Sequence, residues 1–186
     1  MSVRAGLLAV LSLGAGYGLQ LHTEFTARAP HRRPVNAGQI YGTLERLARA
    51  GLVEPAGTTA DALPLYRLTT AGASAAVSWM TEPVLDGLPE WTEMLDQVLV
   101  TSSIDPVAAR TLAGRYRRWW EADLARTRSA AEQTITDARL ALVAREAQAV
   151  AAIAWLGSAI AALVDSDSFR PLSEARPKRG RRATTH

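Results

Sequence analysis

Two arginines, Arg46 and Arg49, fall on one side of a predicted helix together with Gln39, Gly42 and Thr43, in the stretch NAGQIYGTLERLARAGLVEP at residues 36–55. Guanidinium forks and a side-chain amide are donors that match the acceptors on base edges and phosphate oxygens. Small residues beside them let a helix axis come close to a ligand. A helix entering the DNA major groove needs such a face. The plain alternative is the solvated side of any amphipathic helix.

The elements that would hold this face are written into the same stretch. Asn36 is a good N-cap, and Gln39 stands where a capping box wants Glu or Gln. Val35 and Ile40 have the spacing of a hydrophobic staple. Ile40, Leu44 and Leu47 recur at i, i+4, i+7 and form the stripe toward a core. Gly51 ends the helix where a left-handed residue is expected. Leu52 and Val53 then begin an extended segment.

Composition narrows the field. The chain has 186 residues, 48% of them hydrophobic and 21% charged, so it can bury a core in one large or two small domains. It has no cysteine, which removes disulfides, thiol nucleophiles and thiolate metal sites and fits a cytoplasmic protein. His22, His31 and His186 are too scattered for a metal site, and neither a phosphate-binding glycine loop nor an acid–base pair at helical spacing is present. No metal, no cofactor and no catalysis are therefore expected. The first thirteen residues lack the pattern of a signal peptide. The net charge of +3 is unevenly spread. Residues 1–80 hold seven Arg against four acids, residues 81–164 eight Arg against eleven acids, and residues 165–186 six basic residues against three acids. Basic ends around an acidic middle suggest a polyanionic partner for the ends.

In chain order, a leucine-rich helix at 3–13 is predicted, then a glycine turn at Gly14 and Gly16, then a helix at 16–29 with Tyr17, Leu21 and Phe25 on one side. Ala29-Pro30-His31-Arg32-Arg33-Pro34 is a stiff basic connection, because two prolines forbid a continuing helix. The helix after Asn36 comes next. Two short strands at 52–55 and 65–68 flank the turn-rich AGTTADALP, and Thr69 or Thr70 caps a helix that stops before Pro83. Three helices and a hairpin describe a winged helix-turn-helix with the third helix as reader. The segments LLAVLSLGAGYGLQL, GQIYGTLERLARAGLVEP and LYRLTTAG resemble, in order and spacing, the PadR family of bacterial transcriptional repressors. The resemblance covers residues 4 to about 80. It implies double-stranded DNA with a palindromic operator as partner, a homodimer, and a small aromatic or drug-like effector. Gly42 stands where the family often has proline. The wing, residues 57–64, carries Asp61 and no cation, whereas the family's wing tends to be basic. Phosphate contacts are therefore expected from Asn36, Tyr41 and Arg49 and from Arg28, Arg32 and Arg33 in and beside the connection. Base contacts are expected from Gln39, Thr43 and Arg46.

After Pro83 the pattern is all helical. Asp86-Gly87 reads as a turn. Trp91, Met94, Leu95, Val98 and Leu99 make one helical stripe, and Asp105-Pro106 starts a long helix reaching about residue 133. A last helix at 137–164 is apolar nearly all round from Ala147. Its eighteen uncharged residues at 147–164 also reach the lower length limit for a membrane span, but eight of them are alanine, and a helix covered by protein is the expectation. A second subunit would cover it, through Ala154, Trp155, Leu156, Ile160 and Leu163. Trp119, Trp120 and Trp155 are the candidates for an aromatic effector pocket, against the plainer role of filling the core. The expected fold is mainly α: an N-terminal winged helix-turn-helix with a two-stranded wing hairpin (1–83), a C-terminal all-α dimerisation and effector region (88–164), and a basic flexible tail (165–186). The functional reading is a homodimeric repressor of a neighbouring gene or of its own operon, released by an effector. Its rivals are a helical ligand-binding protein without DNA binding and a membrane-associated protein anchored by 147–164.

Overall fold

The computed structural model describes residues 2–32, 35–85, 87–132, 137–164 and 168–173. The elements run α1 (Ser2–Leu11), β1 (Gly16–Tyr17), α2 (Gly18–Arg28), α3 (Ala37–Arg49), β2 (Val53–Thr58), β3 (Pro64–Leu68), α4 (Thr70–Thr81), α5 (Trp91–Ser102), α6 (Pro106–Glu132) and α7 (Asp137–Ala162). The mainly helical winged helix-turn-helix is present, with helices α5 to α7 after it. Its sheet has one strand more than the hairpin expected. The order is β1-β3-β2, antiparallel throughout, with Gly16 opposite Tyr66 and Val53 opposite Leu68. Gly16 and Tyr17 are thus a short strand, not the glycine turn that the sequence predicts. The wing strands also extend further than the sequence implies, with a register shift between Pro55 and Thr58 where Gly57 takes φ +88°.

Local chemistry explains where α3 and α4 begin and end. Asn36 is extended, and its Oδ1 accepts from the Gly38 amide at 2.8 Å. Gln39 makes no reciprocal bond among those described and lies exposed on the surface. Gly51 ends α3 at φ +68°, as the sequence predicts. The Thr69 hydroxyl donates to the Gly51 carbonyl at 2.7 Å and accepts from the Gly72 amide at 3.1 Å, so one side chain fastens the end of α3 to the start of α4.

Two apolar clusters share the molecule. The first joins α1 to α4, with Leu7, Leu21, Phe25, Ile40, Leu44 and Leu47 at its centre. The second joins α5, α6 and α7 around Met94, Leu112, Tyr116, Trp120 and Leu156. Helix α5 enters both, through Val100 in the first and Met94 and Val98 in the second. Helices α6 and α7 run antiparallel: Arg117 lies beside Gly157, and Arg128 pairs with Glu146 at 2.7 Å. A buried polar knot joins the two clusters. The Gln97 amide donates to the Trp79 and Glu82 carbonyls, and Tyr116 donates to the Gln97 oxygen while accepting from the Val84 amide at 2.9 Å. Burial pushes the Tyr116 hydroxyl up to about 12, so it remains a neutral donor at any ordinary pH.

Candidate nucleic-acid interface

Helix α3 buries Ile40, Leu44 and Leu47 and leaves Gln39, Tyr41, Arg46 and Arg49 exposed. Thr43 does not belong with them. It lies about 60° around the helix from Ile40, inside the buried arc, and is only 4% exposed. Its hydroxyl donates to the Gln39 carbonyl at 2.7 Å and accepts from Arg46 Nη2 at 2.9 Å. Thr43 is therefore placed to hold the Arg46 fork, with no access to a base edge of its own. Arg49 pairs with Glu45 at 3.2 Å, and both side chains are well exposed. Such a pair is worth about 0–1 kcal/mol and opens readily toward a phosphate. Glu45, absent from the residues singled out by sequence, puts a carboxylate on the same face, one that repels phosphates and can accept from a cytosine amino group. The Tyr41 ring lies over Gly18 at the start of α2, so close that a Cβ on Gly18 would stand 2.3 Å from the ring. Gly42 has no heavy atom within 4 Å of where its Cβ would be, so no neighbouring helix requires a glycine there.

The arginines of the connection point elsewhere. Arg28 is 2% exposed. Its guanidinium donates to Glu24 at 2.9 Å, to the Ser103 hydroxyl at 2.8 Å and to the Arg170 carbonyl at 2.8 Å. Burial lowers its pKa, and Glu24 opposes that shift. Arg32 donates through Nε to both oxygens of Asp96 at 2.6 and 2.7 Å, and His31 stands 3.1 Å from the same carboxylate. Asp96 lies on α5 and is fully buried. Both expected phosphate ligands are thus spent on the interior, where they fix the turn between α2 and α3 to α5. Asp96 sits 64 residues from Arg32, and no sequence spacing announces it. Arg33 lies outside the described residues. On the wing, Arg67 pairs with Glu54 at 2.8 Å across β2 and β3.

The C-terminal candidates also divide. Leu156 is sealed in the second cluster, so it holds α7 to its own chain and not to a partner. Trp155 and Ile160 pack partly against that cluster, Trp155 edge-on to Trp91 with ring centroids 5.9 Å apart. Ala154 is exposed and Leu163 half-exposed. The apolar surface left open on α7 includes Leu140, 73% exposed, with Val143 and Val150. By length and composition alone α7 is one helix that could cross a membrane. Trp120 is fully buried, its indole N–H directed at Met94 Sδ 3.4 Å away, and Trp119 stands edge-on to it. A cavity of about 200 Å³ between α6 and α7 is lined by Asp123, Arg126, Thr127, Ala130, Leu142 and Arg145, and by none of the three tryptophans. Asp123 is buried there, and its hydrogen bond to Arg145, helped by Arg126, holds its carboxyl below the usual range. Among the described residues no cluster of histidines and acids could hold a metal.

Residues 7–77 match the family model described as "Transcriptional regulator PadR-like family". Solved structures that resemble the chain include Bacillus subtilis PadR in complex with operator DNA, at 18% identity over 88% of this chain and 99% of that one, with a TM-score of 0.40. They also include a PadR-like regulator from Bacillus cereus, at 21% identity over 87% and 97% of the two chains, with a TM-score of 0.37. The Vibrio cholerae virulence activator AphA resembles it at 20% identity over 87% and 97%, also with a TM-score of 0.37. No curated protein sequence matches the chain.

Proposed function

We propose that this chain, whose residues 7–77 are a PadR-like transcriptional regulator domain, acts as a homodimeric repressor that reads a roughly palindromic operator. The chain is a DNA-binding transcriptional regulator and belongs to a family of regulators, not enzymes. The finer reading is carried by one observation: Arg46, steadied by Thr43, stands with exposed Gln39 on the outer side of α3, the helix that this fold presents to the major groove. Gln39 and Arg46 read base edges; Asn36, Tyr41 and Arg49 meet the backbone. Two-fold pairing of subunits sets the spacing of the half-sites. A second copy covers α7 through Leu140, Val143, Val150, Ala154 and Leu163. A membrane could cover the same face, but α7 also carries Arg139, Arg145 and Glu146, and the last two are paired to α6. In this reading residues 1–83 bind DNA and 88–164 dimerise. An aromatic effector would meet Trp119 and Trp155, the indoles left partly open, and not Trp120.

A mobility-shift titration against DNA from the gene's own upstream region tests this. Arg46→Ala should weaken specific binding by about 1–3 kcal/mol, a rise in Kd of roughly 5- to 150-fold. Sedimentation without detergent should give a dimer. Unchanged binding by the variant would remove α3 as the reading helix, and a monomer would remove the pairing through α7.

A further inference from the structure

Burial sorts the lining of the cavity between α6 and α7 into a floor and a rim. Asp123 and Thr127, 1% and 4% exposed, lie at the floor, and the open forks of Arg126 and Arg145 stand at the rim. Ala130 and Leu142 supply an aliphatic wall, and no aromatic side chain takes part. The charges here do not balance. Asp123 accepts from Nε and Nη2 of Arg145 and from Nη2 of Arg126. The Arg145 hydrogen bond, helped by Arg126, holds its carboxyl below the usual range, so it is ionised at neutral pH and one positive charge is left over. The neighbouring Glu146 does not cancel that charge, because it pairs with Arg128 at 2.7 Å. Most N–H donors of the two forks remain uncommitted to Asp123.

Thr127 adds an independent sign. On other helices Thr23, Thr26, Thr43, Thr81 and Thr111 each donate to the carbonyl four residues back. Thr127 makes no such bond, nor any other among the described residues, although it is buried and lines the cavity. A buried hydroxyl without a partner costs free energy until something meets it. An apolar cavity of about 150 Å³ holds benzene. This one measures about 200 Å³, room for a short carbon chain with a charged head. An excess cation, an unmet hydroxyl and an aliphatic wall together select a small anion with an apolar body, and no ring in the wall favours a flat one. We propose that the cavity binds a short-chain aliphatic carboxylate. Its oxygens accept from the Thr127 hydroxyl and from the remaining donors of Arg126 and Arg145, and its chain lies on Ala130 and Leu142. The ligand bridges α6 and α7. None of the residues assigned to DNA, and none of the tryptophans, belongs to this site.

The test needs no DNA, so it stands apart from the reading of α3. Hexanoate and hexan-1-ol are titrated at pH 7 into the full chain, and binding is followed by ligand-observed NMR. Hexanoate should bind with a Kd on the order of 1 mM, a moderate efficiency for a ligand of about eight heavy atoms. Hexan-1-ol has the same chain without the charge and should bind at least about tenfold more weakly. Two variants then locate the site. Thr127→Val keeps the shape and removes the hydroxyl. It should raise the Kd for hexanoate about tenfold, because a hydrogen bond to a charged group is lost, while the melting temperature stays level or rises, because no bond within the protein is lost. A purely structural Thr127 would move the melt and leave the Kd alone. Arg126→Met takes away a fork that is mostly exposed and leaves Asp123 its bonds to Arg145, so it folds and should also weaken binding about tenfold. Three results overturn the proposal: no binding of hexanoate at 10-fold above the expected Kd, equal binding of the alcohol, or full affinity in both variants. The last would place the ligand elsewhere on the chain.

Discussion

Arg32 offers a sharp choice between two roles, because a phosphate ligand and a buttress respond oppositely to the same substitution. The carboxylate of Asp96 is fully buried and accepts from Arg32 at 2.6 and 2.7 Å, with His31 at 3.1 Å. Arg32→Met keeps the apolar stem and removes the fork. Asp96 is then a sealed charge with His31 as its remaining partner at this site. Removing one member of a buried pair costs about 3–5 kcal/mol. The lower end applies here, because His31 stays and the Arg32 side chain is itself partly hydrated. A loss of about 3 kcal/mol in a chain of this size lowers the melting temperature by roughly 6–12 °C.

Circular dichroism melts read the first quantity, and anisotropy titrations across salt, well below the melt, read the second. The buttress role predicts the lowered melt with an unchanged salt slope. Replacing both partners, Arg32→Met with Asp96→Leu, should recover most of the lost stability, since an apolar pair of similar volume has no buried charge to leave unpaired. A phosphate role predicts the reverse: an unchanged melt and a slope flatter by about 0.9. That second pattern would refute the internal placement of Arg32 and return it to the DNA-binding set.

Two glycines should respond with opposite signs. A Cβ on Gly72 would stand 1.9 Å from the Leu52 carbonyl oxygen, a backbone atom that already accepts from Thr69 at 3.1 Å, so Gly72→Ala should cost about 2 kcal/mol or more in a urea titration. Gly42 has open space around it within α3, so Gly42→Ala should gain about 0.5–1 kcal/mol, and a loss there would contradict the packing described. Asp123 should shape the acid limb of stability. Its pKa is lowered by the Arg145 hydrogen bond below the ordinary 3.8, so its contribution is complete above that value and disappears as the pH falls through the folded-state pKa. Urea midpoints between pH 5 and pH 2.5 should therefore fall more steeply for the native chain than for Asp123→Asn, and parallel curves would show that the ion pair contributes nothing.

The range of each interaction decides whether the sequence discloses it. The cap at Asn36, the stop at Gly51 and the stripe Ile40–Leu44–Leu47 depend on neighbours within four residues, and all three are found. Thr43 is misplaced by the sequence because a helical wheel divides a circle in two, while the buried arc of α3 extends about 60° beyond Ile40 to include it. The strand Gly16–Tyr17 is two residues long and exists only through pairing with Tyr66 and Leu65, far along the chain. No local pattern could report it.

The misreading of the connection has a deeper cause. Pro-His-Arg-Arg-Pro looks like a surface cationic loop, because arginine is rarely buried without a partner. Its partners come from α5, and α5 is legible only as half of itself. The apolar stripe Trp91, Met94, Leu95, Val98 and Leu99 predicts one buried face. The helix instead buries Met94 and Val98 of that stripe together with Asp96, Gln97, Val100 and Thr101, and leaves Trp91, Leu95 and Leu99 half-buried, because it lies between two clusters. Asp96 accepts from the connection and Gln97 accepts from Tyr116, so the polar residues that break the stripe are the ones that join the winged-helix half to the helices after it. Arg28 makes a second tie, from α2 to the carbonyl and hydroxyl of Ser103 at the end of α5. The helix that carries Val98 into one core carries Val100 into the other, two residues away.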